Sequence, residues 1–266
     1  QMKNINFYLH SILWLVVLLA PPASRAQPAE PDSAAARVTE LADSYMAAYF
    51  QRYPEAATFY GLPSAQHDQA FDNSPEALQD WQDQVDRFHA ALQRIDADAL
   101  AGLPERATYG LLRHEMESGI ATRVCRSELW NVDQHSGFHV LLPTLASRQP
   151  VGTRATRAAA LARFRQYDDF FDQKITNLRE GLQRGYSAPR NNVERVVEQL
   201  DGILARTGEA SPLYEPASRD SSETFQQQWL ALLADSLYPA LTRYRNFLRD
   251  EYLPKARTAT GIAAPP

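Results

Sequence analysis

The sequence predicts an all-α fold, a multi-helix array of about six main amphipathic helices with long connecting loops and no substantial sheet. Apolar residues recur at the 3.6-residue period of a helix, and no segment alternates apolar and polar residues as a half-buried strand does. Serine precedes two of the apolar runs, at Ser33 and Ser74, and glycine follows another at Gly185, as expected for helix ends. About 240 residues follow residue 26, which is enough for one large domain or two small ones.

Three helices are predicted in the first half of the chain. The first runs from a cap at Asp32 or Ser33 to about Arg52. Its apolar side carries Val38, Leu41, Tyr45 and Tyr49. The second begins at Ser74-Pro75, since serine caps helices well and proline suits the first turn. Its apolar side carries Trp81, Val85, Phe88, Leu92 and Ile95. The third begins near Pro104, with an apolar stripe of Tyr109, Leu112, Met116 and Ile120.

Three further helices are predicted after an irregular loop that runs from Trp130 to Pro150. The fourth helix covers residues 156–184, and the fifth covers residues 192–206. The sixth covers residues 222–253, with a kink near Pro239 because proline removes one backbone donor.

Residues 1–26 have the layout of a secretory signal peptide. Lys3 gives a weakly basic start, Ile12–Ala20 is apolar, and Pro21–Ala26 supplies small residues before a cleavage point. The apolar run is shorter than the about 20 residues that a membrane span needs, so no stable span is expected after cleavage. We expect an exported protein, periplasmic or extracellular, with a disordered leader over residues 27–36. Retention of the segment as an anchor is the alternative, which an N-terminus at Gln27 would exclude.

Charge and cysteine content narrow the classes of function. Without residues 1–26 the chain has 25 basic and 32 acidic residues, a net charge of −7, and its basic residues are scattered. This distribution predicts no nucleic-acid partner. The single cysteine, Cys125, forms no intrachain disulfide, and we expect it to be a buried small apolar residue.

The stretch RHEMES, Arg113–Ser118, resembles the first half of the zinc-protease motif His-Glu-x-x-His. That motif places two imidazoles four residues apart on one helical face, and its glutamate activates the metal-bound water. Ser118 occupies the position of the second histidine, and a hydroxyl does not replace an imidazole there. His114 and Glu115 are therefore interpreted as helix-surface residues.

The loop NVDQHSGFHVLLP, residues 131–143, holds the candidate metal ligands His135, His139 and Asp133. The two histidines have the spacing of a helical metal pair, but Gly137 lies between them and a third ligand is needed. The alternative is that these side chains cap or bridge helix ends. A loop of this length in a compact domain also favours contact with a ligand.

No complete catalytic set is found in the sequence. There is no Gly-x-Ser-x-Gly nucleophile motif and no glycine-rich phosphate loop. The acidic pair Asp96 and Asp98 is predicted to form a helix cap, and the pair Asp168 and Asp169 a solvated face. No catalytic or cofactor-binding residue is assigned.

Several segments together resemble a large bacterial family, domain of unknown function 885. The resemblance follows the order and spacing of pieces over roughly residues 37–261. These pieces are YPEAATFYGLP, FDNSPEAL, RIDADAL, HSGFHVLLP, LREGLQRGYSAPRNNVERVVEQL, SPLYEP and YPALTRYRNFLRDEYLPKARTATGI.

The resemblance implies an exported, mostly helical, zincin-like protein. Members of that family are about twice this length or more and carry a His-Glu-x-x-His zinc motif in their C-terminal half, and nothing in this sequence aligns with it. The resemblance therefore implies zinc in the longer relatives, no cofactor in this chain, and a tail at residues 262–266 that marks a truncation.

These observations favour the N-terminal, non-catalytic helical half of an exported zinc metallopeptidase-like hydrolase, inactive alone. The substrate of the complete protein would be a peptide or an amino-acid conjugate. The alternative is a self-sufficient periplasmic binding or interaction module. In the first case we expect an exposed apolar surface and self-association through the fifth and sixth helices, with Trp229, Tyr244 and Phe247 as contributors.

Overall fold

A computed structural model describes residues 33–62 and 67–260 of the chain. Within these residues the fold is helical without a β-strand, so the predicted all-α class is confirmed. The helices are α1 Ala34–Arg52, α2 Pro54–Phe59, α3 Pro75–Leu92, α4 Glu105–Thr122, α5 Phe138–Arg148, α6 Arg154–Arg165, α7 Tyr167–Gln183, α8 Arg190–Leu204, α9 Glu215–Ser218, α10 Glu223–Leu232 and α11 Tyr238–Phe247. The predicted signal peptide, residues 27–32 of the leader and the tail lie outside the described residues.

Helices α1, α3 and α4 form one layer, and their predicted starts are confirmed. The hydroxyls of Ser33 and Ser74 accept the N–H groups of Ala36 and Ala77, each at 3.2 Å, as serine N-caps do. Since α1 begins at Ala34, the last three residues of the predicted disordered leader are helical. The apolar stripes of the three helices meet in a core that includes Val38, Tyr45, Trp81, Val85, Leu92, Leu112 and Met116.

Helices α5 to α11 surround a second, larger core. Here the expectation of an exposed apolar surface was wrong, because Trp229, Tyr244 and Phe247 are only 0%, 4% and 4% exposed. Their helices cover one another: α11 packs against both α7 and α8, and α10 packs against α6. Within residues 33–62 and 67–260, the exposed large apolar side chains are scattered outside these helices, namely Met46, Tyr60, Leu103, Leu111 and Val124.

The predicted irregular loop is wrong over residues 138–148, which form α5. Pro143 lies inside this helix, where it removes one backbone hydrogen bond. Leu142, Leu145 and Ala146 are at most 1% exposed. Burial of this kind contributes roughly 1.5–3 kcal/mol per large side chain, enough to offset a single proline.

The predicted fourth and sixth helices are each interrupted. The fourth divides into α6 and α7 at Gln166, whose side chain accepts the N–H of Ala70 (3.1 Å) and donates to the carbonyl of Asp68 (2.8 Å). The sixth contains π-turns at Leu233–Leu237 and Leu248–Tyr252. The first π-turn ends two residues before Pro239, close to the position at which a kink is predicted.

Cys125 is exposed, so the expectation of a buried cysteine was wrong. It ends a 3-10 turn, Arg123–Cys125, and the next residue, Arg126, has a φ of 46°. The chain therefore reverses sharply at the surface here. Among residues 33–62 and 67–260, no helix has the length and apolar character needed to cross a membrane.

A buried polar cluster around Arg163 links α6 to α2, to the segment before α3 and to the end of α5. The guanidinium is 0% exposed and donates to the carbonyl of Gln69 (2.6 Å), the hydroxyl of Thr58 (2.7 Å) and the side chain of Gln149 (3.0 Å). Burial lowers the pKa of Arg163, and nearby Tyr167 and Glu55 oppose that shift. The cluster fixes α2 between the layers.

Candidate functional site

The three candidate metal ligands do not converge on one point. His135 is exposed, whereas His139 is only 2% exposed and its Nε2 lies 2.9 Å from Oε1 of Gln199. Burial is the main cause that lowers the pKa of His139, so its imidazole is neutral at pH 7. The carboxylate of Asp133 accepts hydrogen bonds from its own loop, one from the backbone N–H of His135 (2.8 Å) and one from the hydroxyl of Ser136. The hydrogen bond from Ser136 is the main cause that lowers the pKa of Asp133.

Gly137 allows the close packing of this loop. A Cβ at this position would lie 2.3 Å from the carbonyl oxygen of Asp133 and 2.6 Å from Cε1 of His139. Real Cβ atoms do not lie this close to other atoms. Position 137 must therefore be a glycine for the ring of His139 to lie where it contacts Gln199. The contact between His139 and Gln199 thus bridges α5 and α8.

The described residues do not form a zinc site of the kind that the resemblance implies for the longer relatives. In the ranges 33–62 and 67–260, no three His, Cys, Asp or Glu side chains form a group that could hold a metal ion. The histidine of RHEMES, His114, is exposed on α4. No chemical step in this chain is therefore assigned to a metal.

The same loop nevertheless lines a small cavity. Lys174 of α7 also lines this cavity, and the sequence analysis did not single it out. The cavity has a volume of about 80 Å³. Its polar lining is Asn131, Asp133, Ser136, His139 and Lys174, and its aromatic lining is Phe138, Phe170, Phe171 and Tyr244. Water occupies about 30 Å³ per molecule in the liquid, so this space admits a carboxylate-sized group or two to three waters.

Lys174 is partly buried and carries no hydrogen bond or ion pair to another residue in the described ranges. Burial lowers its pKa from the usual 10.5 to about 8, against the opposing effect of the Glu128 carboxylate. At pH 7 the amine is therefore still mostly protonated. Partly buried cations without a partner destabilise a fold, and such groups cluster at functional sites.

Tight packing holds the turn at Leu129 and the start of the following loop in place. Gly181, two turns further along α7, contacts the turn at Leu129 so closely that a Cβ would lie 1.8 Å from the Leu129 carbonyl oxygen. This contact places Glu128 beside α7. At the start of the loop, the hydroxyl of Tyr252 donates to the carbonyl of Trp130 (3.4 Å) and accepts the N–H of Ala188 (2.7 Å).

The acidic pairs make local contacts. Asp96 accepts the N–H of Asp98 at 2.9 Å, at the start of the 3-10 turn Asp98–Leu100. Asp169 is exposed, and Asp168 pairs at the surface with Arg243. Neither pair lines the Lys174 cavity.

The fold and the cavity define a helical protein with a small polar pocket around one partly buried amine. Its sequence matches the family described as "Bacterial protein of unknown function (DUF885)" over residues 54–264, and the chain belongs to that family.

A solved structure supports the fold. The crystal structure of "the putative lipoprotein from Colwellia psychrerythraea" superposes with a TM-score of 0.72 at 17% sequence identity. The match covers 88% of this chain and 44% of that one, so this chain spans less than half the length of the solved protein. No curated protein sequence matches the chain described here.

Proposed function

We propose that this chain is the N-terminal, non-catalytic helical half of an exported zinc metallopeptidase-like hydrolase, in which it forms one wall of the substrate cleft. The observation that carries this proposal is the match of nearly the whole fold to less than half of a larger protein. Membership of the family and the signal-peptide pattern of residues 1–26 support it as well.

Within this function, Lys174 binds an anionic group of the substrate. The pocket supplies the ammonium of Lys174 and the amide of Asn131, both of which can donate a hydrogen bond to a carboxylate, whereas the hydroxyl of Ser136 donates to Asp133. Aromatic side chains exclude water on the other sides and strengthen the electrostatic attraction. A peptide or amino-acid conjugate carries such a carboxylate at its C-terminus or in its side chains.

The complete gene tests this proposal. The reading frame is expected to continue past the codon for Pro266 and to encode His-Glu-x-x-His, and the complete protein is expected to hydrolyse peptides. In that protein, Lys174→Met should raise KM about tenfold for substrates with a free carboxylate, with a much smaller change in kcat.

The matched control is Lys255→Met, which removes an exposed lysine outside the pocket and should leave KM unchanged. A stop codon directly after Pro266, or an unchanged KM in the Lys174 variant, would contradict the proposal.

The alternative, a self-sufficient binding or interaction module, is favoured by one observation. The apolar faces of α10 and α11 are covered within the described residues, as the burial of Trp229 and Tyr244 indicates. A helical half that forms its own core can fold and bind a ligand by itself. This alternative predicts a stop codon directly after the codon for Pro266, whereas the first proposal predicts that the reading frame continues.

A further inference from the structure

A second pocket lies in the other layer, between α1, α3, α4 and the turn Ser127–Leu129. Its volume is about 390 Å³, within the range of pockets that hold small molecules. Three tyrosines from successive turns of α1 and its end, Tyr45, Tyr49 and Tyr53, line it together with Trp81 of α3. Glu115 of α4, the glutamate of RHEMES, borders the same space.

Glu115 lies within electrostatic reach of all three tyrosine hydroxyls. Burial, then the Glu115 carboxylate, raises the pKa of Tyr45 to about 12. Burial is also the main cause that raises the pKa of Tyr49 and of Tyr53, and Glu115 adds to both shifts. The three hydroxyls are therefore neutral at physiological pH, so each can both accept and donate a hydrogen bond, and the hydroxyl of Tyr53 already has Arg52 as a partner.

The negative charge of Glu115 is uncompensated at this pocket. The other charges on the lining are paired: Arg123 with Asp86 at 2.9 Å, and Glu128 with Arg126 at 2.6 Å. By contrast, neither the carboxylate of Glu115 nor the hydroxyls of Tyr45 and Tyr49 form a hydrogen bond or ion pair with any residue in the described ranges. The carboxylate of Glu115 and the hydroxyls of Tyr45 and Tyr49 therefore leave acceptor positions between the aromatic rings that no residue in the described ranges fills.

We propose that this pocket binds an organic cation, the guanidinium or ammonium of a basic side chain, between the tyrosines and Glu115. A guanidinium is planar and has five N–H donors, which matches several oxygen acceptors on an aromatic surface. Cations are also attracted to the faces of Trp and Tyr. The aromatic rings pack against the methylene groups of the ligand. This binding does not depend on whether the chain belongs to a hydrolase.

Calorimetric titration of the full chain with Nα-acetyl-L-arginine amide tests the proposal. The probe for comparison is Nα-acetyl-L-citrulline amide, which has nearly the same shape without the charge. We expect the arginine derivative to bind and the citrulline derivative to bind at least about tenfold more weakly, because cation–π attraction and the ion pair are both lost.

Two variants locate the site. Glu115→Gln should weaken binding of the arginine derivative roughly tenfold. Glu117→Gln, an exposed position two residues further along the same helix and outside the pocket, should leave binding unchanged. Both positions are exposed, so both variants are expected to fold, which circular dichroism confirms before titration. Equal affinity for the two probes, no binding of the arginine derivative, or unchanged binding in the Glu115 variant would overturn the proposal.

Discussion

Replacing Arg163 with methionine is expected to lower the free energy of unfolding by about 3–5 kcal/mol. Removing the buried cation would relieve its own desolvation, which favours the variant. It would also leave the carbonyl of Gln69, the hydroxyl of Thr58 and the amide oxygen of Gln149 without this donor, at about 1–3 kcal/mol each. The second effect is larger because it involves several buried acceptors. Urea unfolding of both proteins measures the difference.

Arg165→Met is the matched control for this experiment. Arg165 lies two residues further along α6 and is exposed, so its loss should change the free energy of unfolding by less than about 0.5 kcal/mol. An equal, small effect in both variants would mean that the Arg163 cluster does not stabilise the fold.

Replacing Lys174 with methionine should have the opposite effect and raise the free energy of unfolding by about 2 kcal/mol at pH 7. The pKa of Lys174 is about 8 in the folded protein and 10.5 ordinarily, so folding disfavours its protonated form. Between these values the unfolded chain binds more protons than the folded protein, and the stability of the unsubstituted protein rises with pH. The advantage of the variant should therefore shrink from pH 8 to pH 10.5.

Thermal unfolding of the Lys174 variant across this pH range checks the prediction, with Lys255→Met as the exposed control. A gain of about 2 kcal/mol corresponds to an increase in Tm of roughly 4–8 °C for a chain of this size. A lower Tm for the Lys174 variant at pH 7 would mean that the ammonium has a stabilising partner, and the pocket would lose its role as an anion site.

Helical periodicity predicts the parts of this fold in which one apolar stripe meets another. The starts at Ser33 and Ser74 and the cap at Gly185, which has a φ of 86°, are local signals and were confirmed. Helix α5 was missed because Pro143 and Gly137 weaken its local pattern, and it is stabilised by burial against distant helices. No proline or glycine marks the break at Gln166 in the sequence. The break coincides with hydrogen bonds from Gln166 to residues almost 100 positions earlier, which local sequence patterns do not predict.

The site residues were harder to predict for the same reason. The loop of residues 131–143 could be singled out by its composition, but Lys174 occupies an ordinary polar position on a helix. Its burial depends on Phe138 and Tyr244, which lie far from it in sequence. Tyr45 and Tyr49 could be predicted as part of an apolar stripe, whereas their approach to Glu115 depends on how α1 packs against α4.

The central proposal is that this chain binds substrate but does not itself catalyse hydrolysis. The purified 266-residue chain tests this proposal most directly. The chain is incubated with excess zinc, dialysed, and then assayed for bound metal and for hydrolysis of a peptide library. We expect no stoichiometric zinc and no hydrolysis, while binding of the arginine derivative is retained. One tightly held zinc ion per chain that is lost on His135→Ala, or cleavage of any peptide in the library, would contradict this proposal.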